Sequence, residues 1–150
     1  MNSVKELYES IGASISNTSA LNKFADELKQ YQGVDWKVHV QFSEDTYARH
    51  LIFRHDLFEI LLLCWAPGQS TQLHNHPEQG CVLKVLQGSL LEERYQIGSN
   101  TPFLTEVLRA GDIGYMNNTM GIHRVSNKEL IPAVSLHVYA PAEYQAELFG

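Results

Sequence analysis

The sequence predicts a mainly β domain: a double-stranded jelly-roll barrel with N-terminal helices packed on one side. Helical apolar spacing is confined to residues 1–33, and from Trp36 onward it gives way to short β-type runs punctuated by Gly, Pro and Asn. A chain of 150 residues also suits one unit, because a core of that size buries roughly two thirds of the unfolded surface. The expected organisation is therefore a single domain over 1–150, with helices in 1–33 and the barrel in 36–150.

The elements follow in order. Ser3 and Glu6 form a capping box ahead of Val4, Leu7, Tyr8 and Ile11, a 3-4 spacing that predicts a helix ending at Gly12. A second helix is expected from about Ser19, with Leu21, Phe24, Ala25 and Leu28 on one face, stopping at Tyr31-Gln32-Gly33. Strands are expected at 46–53, 58–65, 80–87, 89–96, 105–108, 113–116, 123–126 and 133–139. Turn residues separate them at Pro67-Gly68, Gln87-Gly88, Gly98-Ser99-Asn100, Ala110-Gly111-Asp112 and Asn117-Asn118. This count and spacing suit a jelly roll whose interior can hold a small ligand.

Composition narrows the function classes. A net charge of -6 and the lack of any Lys/Arg cluster give no electrostatic attraction to phosphate backbones, so nucleic acid is not an expected partner. The longest apolar stretch, 60–67, is far too short to span a bilayer, and the N-terminus lacks a secretory pattern. Two cysteines, Cys64 and Cys81, are too few for a disulfide scaffold and suit a reducing compartment. A cytoplasmic monomer without membrane contact is the expectation.

The strongest chemical signal is Gly68-x5-His74-x-His76-x4-Cys81-x6-Gly88, followed by Gly111 and by His123-x3-Asn127. Residues i and i+2 of an extended segment point to one face, so His74 and His76 can aim two imidazoles inward together. The pattern resembles the two cupin motifs, in which the HxH pair and the histidine of the second motif bind metal; the resemblance implies His74, His76 and His123 as ligands. Imidazole suits Fe, Zn, Cu and Ni alike. Cys81 stands where that family usually carries a glutamate. Three neutral imidazoles cancel none of a divalent ion's charge, which favours an anionic ligand from the substrate, such as a thiolate. His39, His50 and His55 lack this context and read as surface or packing histidines.

Further matches sharpen the resemblance to the cysteine dioxygenase branch of the cupins. They are Tyr47-Ala48-Arg49, Leu63-Cys64-Trp65, His74-Asn75-His76, the run from Cys81 to Gly88, Gly121-Ile122-His123-Arg124-Val125, and the run from Ala133 to Pro141. The resemblance implies Fe(II) as cofactor and a small thiol with O2 as substrates. It implies that Arg49 pairs bidentately with the substrate carboxylate, with Tyr47 supporting it or else serving in packing. An arginine at this position goes with cysteine, a glutamine with 3-mercaptopropionate. Ser135, His137 and Tyr139 alternate along a strand and so share a face, a polar row that a core tolerates only if its members bond one another. They resemble the family's Ser-His-Tyr relay, with the Tyr139 hydroxyl meeting the substrate, His137 orienting it and Ser135 orienting His137. His137 is not taken as a ligand, because His123 holds the second-motif position. Cys81 matches the cysteine that forms a thioether with the tyrosine matching Tyr139; otherwise it is a small buried hydrophobe, as Cys64 is expected to be.

The function expected from this resemblance is oxidation of L-cysteine by O2 to cysteine sulfinate. The alternatives are a dioxygenase for 3-mercaptopropionate or cysteamine, and a metal-binding cupin without redox chemistry. The chain departs from the pattern at Asn75, where an aspartate is usual, and at Ala140, where a serine precedes the proline of a cis peptide. The animal enzymes continue well past the point that matches Gly150, so whatever covers the active site there is expected to be absent or replaced in this chain.

Overall fold

The computed structural model describes residues 1–149. α1 (Val4–Gly12) begins at Ser3, whose Oγ accepts a hydrogen bond from Glu6 N at 3.0 Å, and it buries Val4, Leu7 and Ile11. The second helix differs from the expectation. Leu21–Phe24 is a 3-10 turn, and only Ala25–Gln30 (α2) is α-helical. Ala20 offers no capping side chain, and a 3-10 turn aligns residues three apart, which buries Leu21 and Phe24 together.

Trp36 also departs from the β reading. It lies in a second 3-10 turn, Asp35–His39, and is buried with the helices. Asp35 fixes that position by accepting from Val4 N at 2.9 Å and from Tyr31 Oη at 2.6 Å. The barrel strands therefore start later than 36, with β1 (Ala48–Arg54).

The remaining strands are β2 (Glu59–Trp65), β3 (Leu73–His74), β4 (Cys81–Gln87), β5 (Ser89–Tyr95), β6 (Leu104–Arg109), β7 (Ile113–Met116), β8 (Ile122–Ser126), β9 (Ala133–Tyr139) and β10 (Leu148–Phe149). They form two five-stranded antiparallel sheets, ordered β1-β2-β9-β4-β7 and β10-β3-β8-β5-β6. The eight expected strands are all present within a residue or two of their bounds. β3 and β10 lie outside the expectation, because two residues are too few to show an alternation.

Alternation explains why β2 and β9 are buried along their whole length or nearly so. Ile60, Leu62 and Cys64 of β2 and Val134, Leu136 and Val138 of β9 face the helices. Leu61, Leu63 and Trp65 face the barrel interior with Leu83, Leu90 and Val125. The first sheet thus separates a helix-side core from the interior that holds the candidate site. Lys84 reaches out of the sheet on the helix side, where Nζ donates to Tyr31 O at 2.6 Å and Lys29 O at 3.2 Å, the carbonyls that end α2. Gly88, between β4 and β5, has φ +71, and a Cβ there would stand 2.6 Å from Pro132 O, so the tight β4-β5 turn requires glycine. No helix among the described residues is long and apolar enough to cross a membrane.

Candidate functional site

The two sheets bring the three motif histidines to one point. His74, on β3, is the register partner of His123, on β8. His76 follows just beyond β3. One nitrogen from each of the three rings lies within 4.8 Å of the others, and His74 Nε2 is 3.1 Å from His123 Nε2.

Hydrogen bonding on the far side of each ring decides what those nitrogens offer. His74 Nδ1 is 2.8 Å from Gln72 O, a carbonyl that only accepts, so Nδ1 carries the proton and Nε2 the lone pair. His123 Nδ1 is 3.0 Å from Glu92 Oε2, and Glu92 Oε1 accepts from Arg94 Nε at 2.8 Å, which keeps that carboxylate an acceptor. Burial, together with the charges of the neighbouring histidines and arginines, holds all three rings below the usual histidine range, so they are neutral. Two lone pairs then face each other at 3.1 Å, an arrangement that repels unless a cation sits between them. Metal–nitrogen bonds of about 2.0–2.1 Å at roughly right to tetrahedral angles give nitrogens about 2.8–3.4 Å apart. His76 Nδ1 is also buried with no hydrogen-bond partner. The donor set fits a divalent metal.

Glu92 was not singled out in the sequence. The signal was present in part: Leu90 and Glu92 share one parity on β5, so a core-facing Leu90 turns Glu92 inward as well. What the sequence could not show is that Arg94 is the register partner of His123.

The polar row on β9 forms a connected chain. Trp65 Nε1 donates to Ser135 Oγ at 3.0 Å, and Ser135 Oγ is 2.7 Å from His137 Nε2. The indole can only donate, so the hydroxyl hydrogen of Ser135 is available to Nε2, and in that arrangement the His137 proton sits on Nδ1. That Nδ1 lies 3.5 Å from Tyr139 Oη and 3.7 Å from Cys81 Sγ. Burial and the nearby Arg49 charge push His137 down to about 3, which keeps the ring neutral. Cys81 and Tyr139 are register partners on β4 and β9, and burial pushes the thiol up to about 12 and the phenol well above its usual range.

Arg49, on β1, lies with its guanidinium carbon 5.8 Å from the centre of the Tyr139 ring. Among the described residues no carboxylate pairs with it. It lines an outer vestibule of about 460 Å³ together with Tyr47, His74, His76 and Tyr139. Beneath lies an inner chamber of about 30 Å³, bounded by the three motif histidines, Cys81, His137, Tyr139 and Trp65. Tyr47 borders both spaces but is stacked on Trp65, with ring centres 4.7 Å apart, and makes no hydrogen bond to Arg49.

The structure therefore gathers eight of the nine predicted site residues around two adjoining spaces, and places the ninth, Ser135, behind His137. It leaves the others out: His50 bonds Gln41 O at 2.8 Å, His55 stacks on Phe58, and Cys64 lies in the helix-side core. Asn127, the last residue of the second motif, has a bracing role, its amide donating to Trp65 O and Ile131 O.

Comparison with known proteins agrees with this geometry. The family model described as Cysteine dioxygenase type I matches residues 3–150. The chain is 33% identical over 122 residues to cysteine dioxygenase type 1 of Bos taurus and 34% identical over 124 residues to that of Danio rerio, covering 77% and 76% of this chain. It spans 61% and 62% of the length of those relatives. Among solved structures, a Klebsiella pneumoniae protein with a double-stranded β-helix domain superposes with a TM-score of 0.65 at 21% identity, over 79% of this chain and 92% of that one. A Thermus thermophilus protein gives 0.62 at 22% identity, over 71% and 94%. At these identities the structural likenesses bear on the fold alone.

Proposed function

The chain belongs to the cysteine dioxygenase type I family, and from that premise we propose that it is an iron-dependent dioxygenase that converts L-cysteine and O2 into cysteine sulfinate. The observation that carries the choice of substrate is Arg49: an arginine without a carboxylate partner among the described residues, at the mouth of a three-histidine pocket and beside Tyr139. A permanent charge on a planar fork of donors suits a substrate carboxylate.

Iron(II) bound by His74, His76 and His123 would supply the centre at which a thiolate and dioxygen react. The remaining work belongs to the chain. Arg49 holds the carboxylate and so fixes the direction in which the sulfur enters, turning a multi-body encounter into an effectively unimolecular one. Tyr139 turns its hydroxyl toward the bound substrate, with His137 Nδ1, 3.5 Å from Oη, orienting the phenol. Ser135 and Trp65 hold the His137 ring in that position. Trp65, Leu83 and Val125 border the inner chamber with apolar surface and limit the entry of water.

The overall reaction balances without another reductant. Sulfur gives up four electrons between thiol and sulfinic acid, dioxygen takes up four, and both oxygen atoms end on sulfur. Cysteine, 3-mercaptopropionate and cysteamine separate the thiol readings, since only the first two carry a carboxylate. The test is oxygen uptake by anaerobically iron-loaded protein with each thiol, with the sulfinate quantified. Cysteine is expected to support the fastest uptake, with one sulfinate formed per O2. No uptake with the metal fully bound would remove the dioxygenase reading and leave a metal-binding cupin without redox chemistry.

A further inference from the structure

We propose that residues 143–148 form a strap across the mouth of the vestibule that sets the size of thiol admitted, and that Asn75 is its latch. The proposal rests on the dioxygenase reading for the identity of the ligand class, and on the following contacts for the strap itself.

The strap is tied at both ends to different sheets. At its start, Glu143 takes φ +62, a left-handed conformation uncommon for a residue with a side chain. Two bonds hold it there: Glu143 N donates to Glu59 Oε1 at 3.0 Å, and its carboxylate meets Arg54 at 2.9 Å. Arg54 and Glu59 belong to β1 and β2 of the first sheet and pair with each other at 3.0 Å. At its end, Leu148 pairs with His74, so β10 adds itself to the edge of the second sheet.

Asn75 joins the strap to the ligand segment. Its Oδ1 accepts from Tyr144 Oη at 3.0 Å and from Glu147 N at 2.8 Å, while its own backbone N–H donates to Glu147 O at 3.2 Å. Three hydrogen bonds thus converge on the one residue between His74 and His76. Between the two anchors, Tyr144, Gln145, Ala146 and Leu148 line the vestibule with Arg49 and Tyr139.

The consequence is geometric. A substrate with its sulfur at the three histidines and its carboxylate at Arg49 has two fixed ends. Whatever else it carries must occupy the vestibule, against the strap. Most strap residues are exposed, so few apolar contacts hold the segment down, and between its two anchors the Asn75 bonds set its position.

The test uses a matched pair of ligands. N-acetylcysteine is 3-mercaptopropionate with one acetamido group added, so the ratio of their affinities reports room in the vestibule and little else. Anaerobic calorimetry on metal-loaded protein measures both ligands in the wild type and in the Asn75→Ala, Tyr144→Ala and Tyr144→Phe variants. In the wild type, 3-mercaptopropionate is expected to bind about ten-fold tighter or more; Asn75→Ala and Tyr144→Ala should bring the ratio to about two, and Tyr144→Phe should fall between. Amide exchange in 144–148 should accelerate in Asn75→Ala and Tyr144→Phe.

The same ratio in all four proteins would overturn the proposal. So would unchanged exchange in both latch variants, and so would a wild type that binds neither ligand. The expected ratios without oxygen uptake in the turnover assay would keep the strap and remove the dioxygenase reading.

Discussion

Glu92 Oε2 accepts a hydrogen bond from His123 Nδ1 at 3.0 Å while both side chains are almost wholly buried, and the other oxygen of the same carboxylate is bound by Arg94. One carboxylate therefore sets the tautomer and rotation of a ligand ring and has its own charge balanced by a guanidinium. Groups that orient a ligand in this way contribute about ten- to a hundred-fold to metal affinity. Glu92→Ala should weaken metal binding by about that factor, with Glu92→Gln less affected because it keeps an acceptor. Titration against a competing chelator measures it. An affinity unchanged in Glu92→Ala would mean that His123 is held by packing alone.

The proposed choice of substrate rests on Arg49. Arg49→Gln removes a charged, two-pronged contact whose hydrogen bonds are individually worth about 1.5–3 kcal/mol, so the KM for cysteine should rise about ten- to a hundred-fold. Cysteamine has no carboxylate, and its KM should move by less than about three-fold. Steady-state oxygen uptake on both thiols gives the comparison. Equal increases would take the carboxylate away from Arg49.

The buried histidines make stability depend on pH in a defined direction. His137 titrates at about 3 in the folded chain, whereas an unfolded histidine titrates near about 6.5. Above that value both states are neutral and the pH has no hold on the equilibrium. Between about 6.5 and 3 the unfolded state binds the proton and the folded state does not, so stability falls as the pH falls. His74, His76 and His123 are shifted in the same direction. Glu92, whose carboxyl is raised by burial, pulls the other way, one group against four. The Tm of metal-free protein should drop steadily from about pH 7 to about pH 5, and a flat profile over that range would contradict the assignment of neutral rings.

Cys81 and Tyr139 stand opposite each other on adjacent strands, within reach of a covalent link. A thioether here would remove the thiol hydrogen and one ring hydrogen and pass two electrons to an oxidant, for which dioxygen serves. Burial keeps the thiol protonated at neutral pH, so the link should await iron and oxygen rather than form on folding. Intact mass should fall by two hydrogens after aerobic incubation with iron and cysteine. It should stay constant in Cys81→Ser and under argon. An unchanged mass in active wild-type protein would leave Cys81 a packing residue.

The site was legible wherever function follows from local periodicity. His74 and His76 sit two apart, Ser135, His137 and Tyr139 alternate, and each set converges as strand geometry requires. The α1 cap was equally plain, since Ser3 and Glu6 bond within three residues. Features made by contacts distant in sequence were not legible. Asn75 meets Tyr144 and Glu147 about seventy positions away, and Glu92 meets His123 across a strand register that composition does not encode. Asp35 draws Trp36 into the helix layer through a bond to Val4, another contact between residues far apart in sequence.

Strand β9 presents Ser135, His137 and Tyr139 to one side and Val134, Leu136 and Val138 to the other. A slip of a single residue along β2 and β4 would send the whole relay into the grease beneath the helices and carry three aliphatic side chains into the chamber. The proposed relay and the hydrophobic core here read the same seven letters in two phases. An insertion or deletion within β9 cannot be silent toward one and harmful to the other.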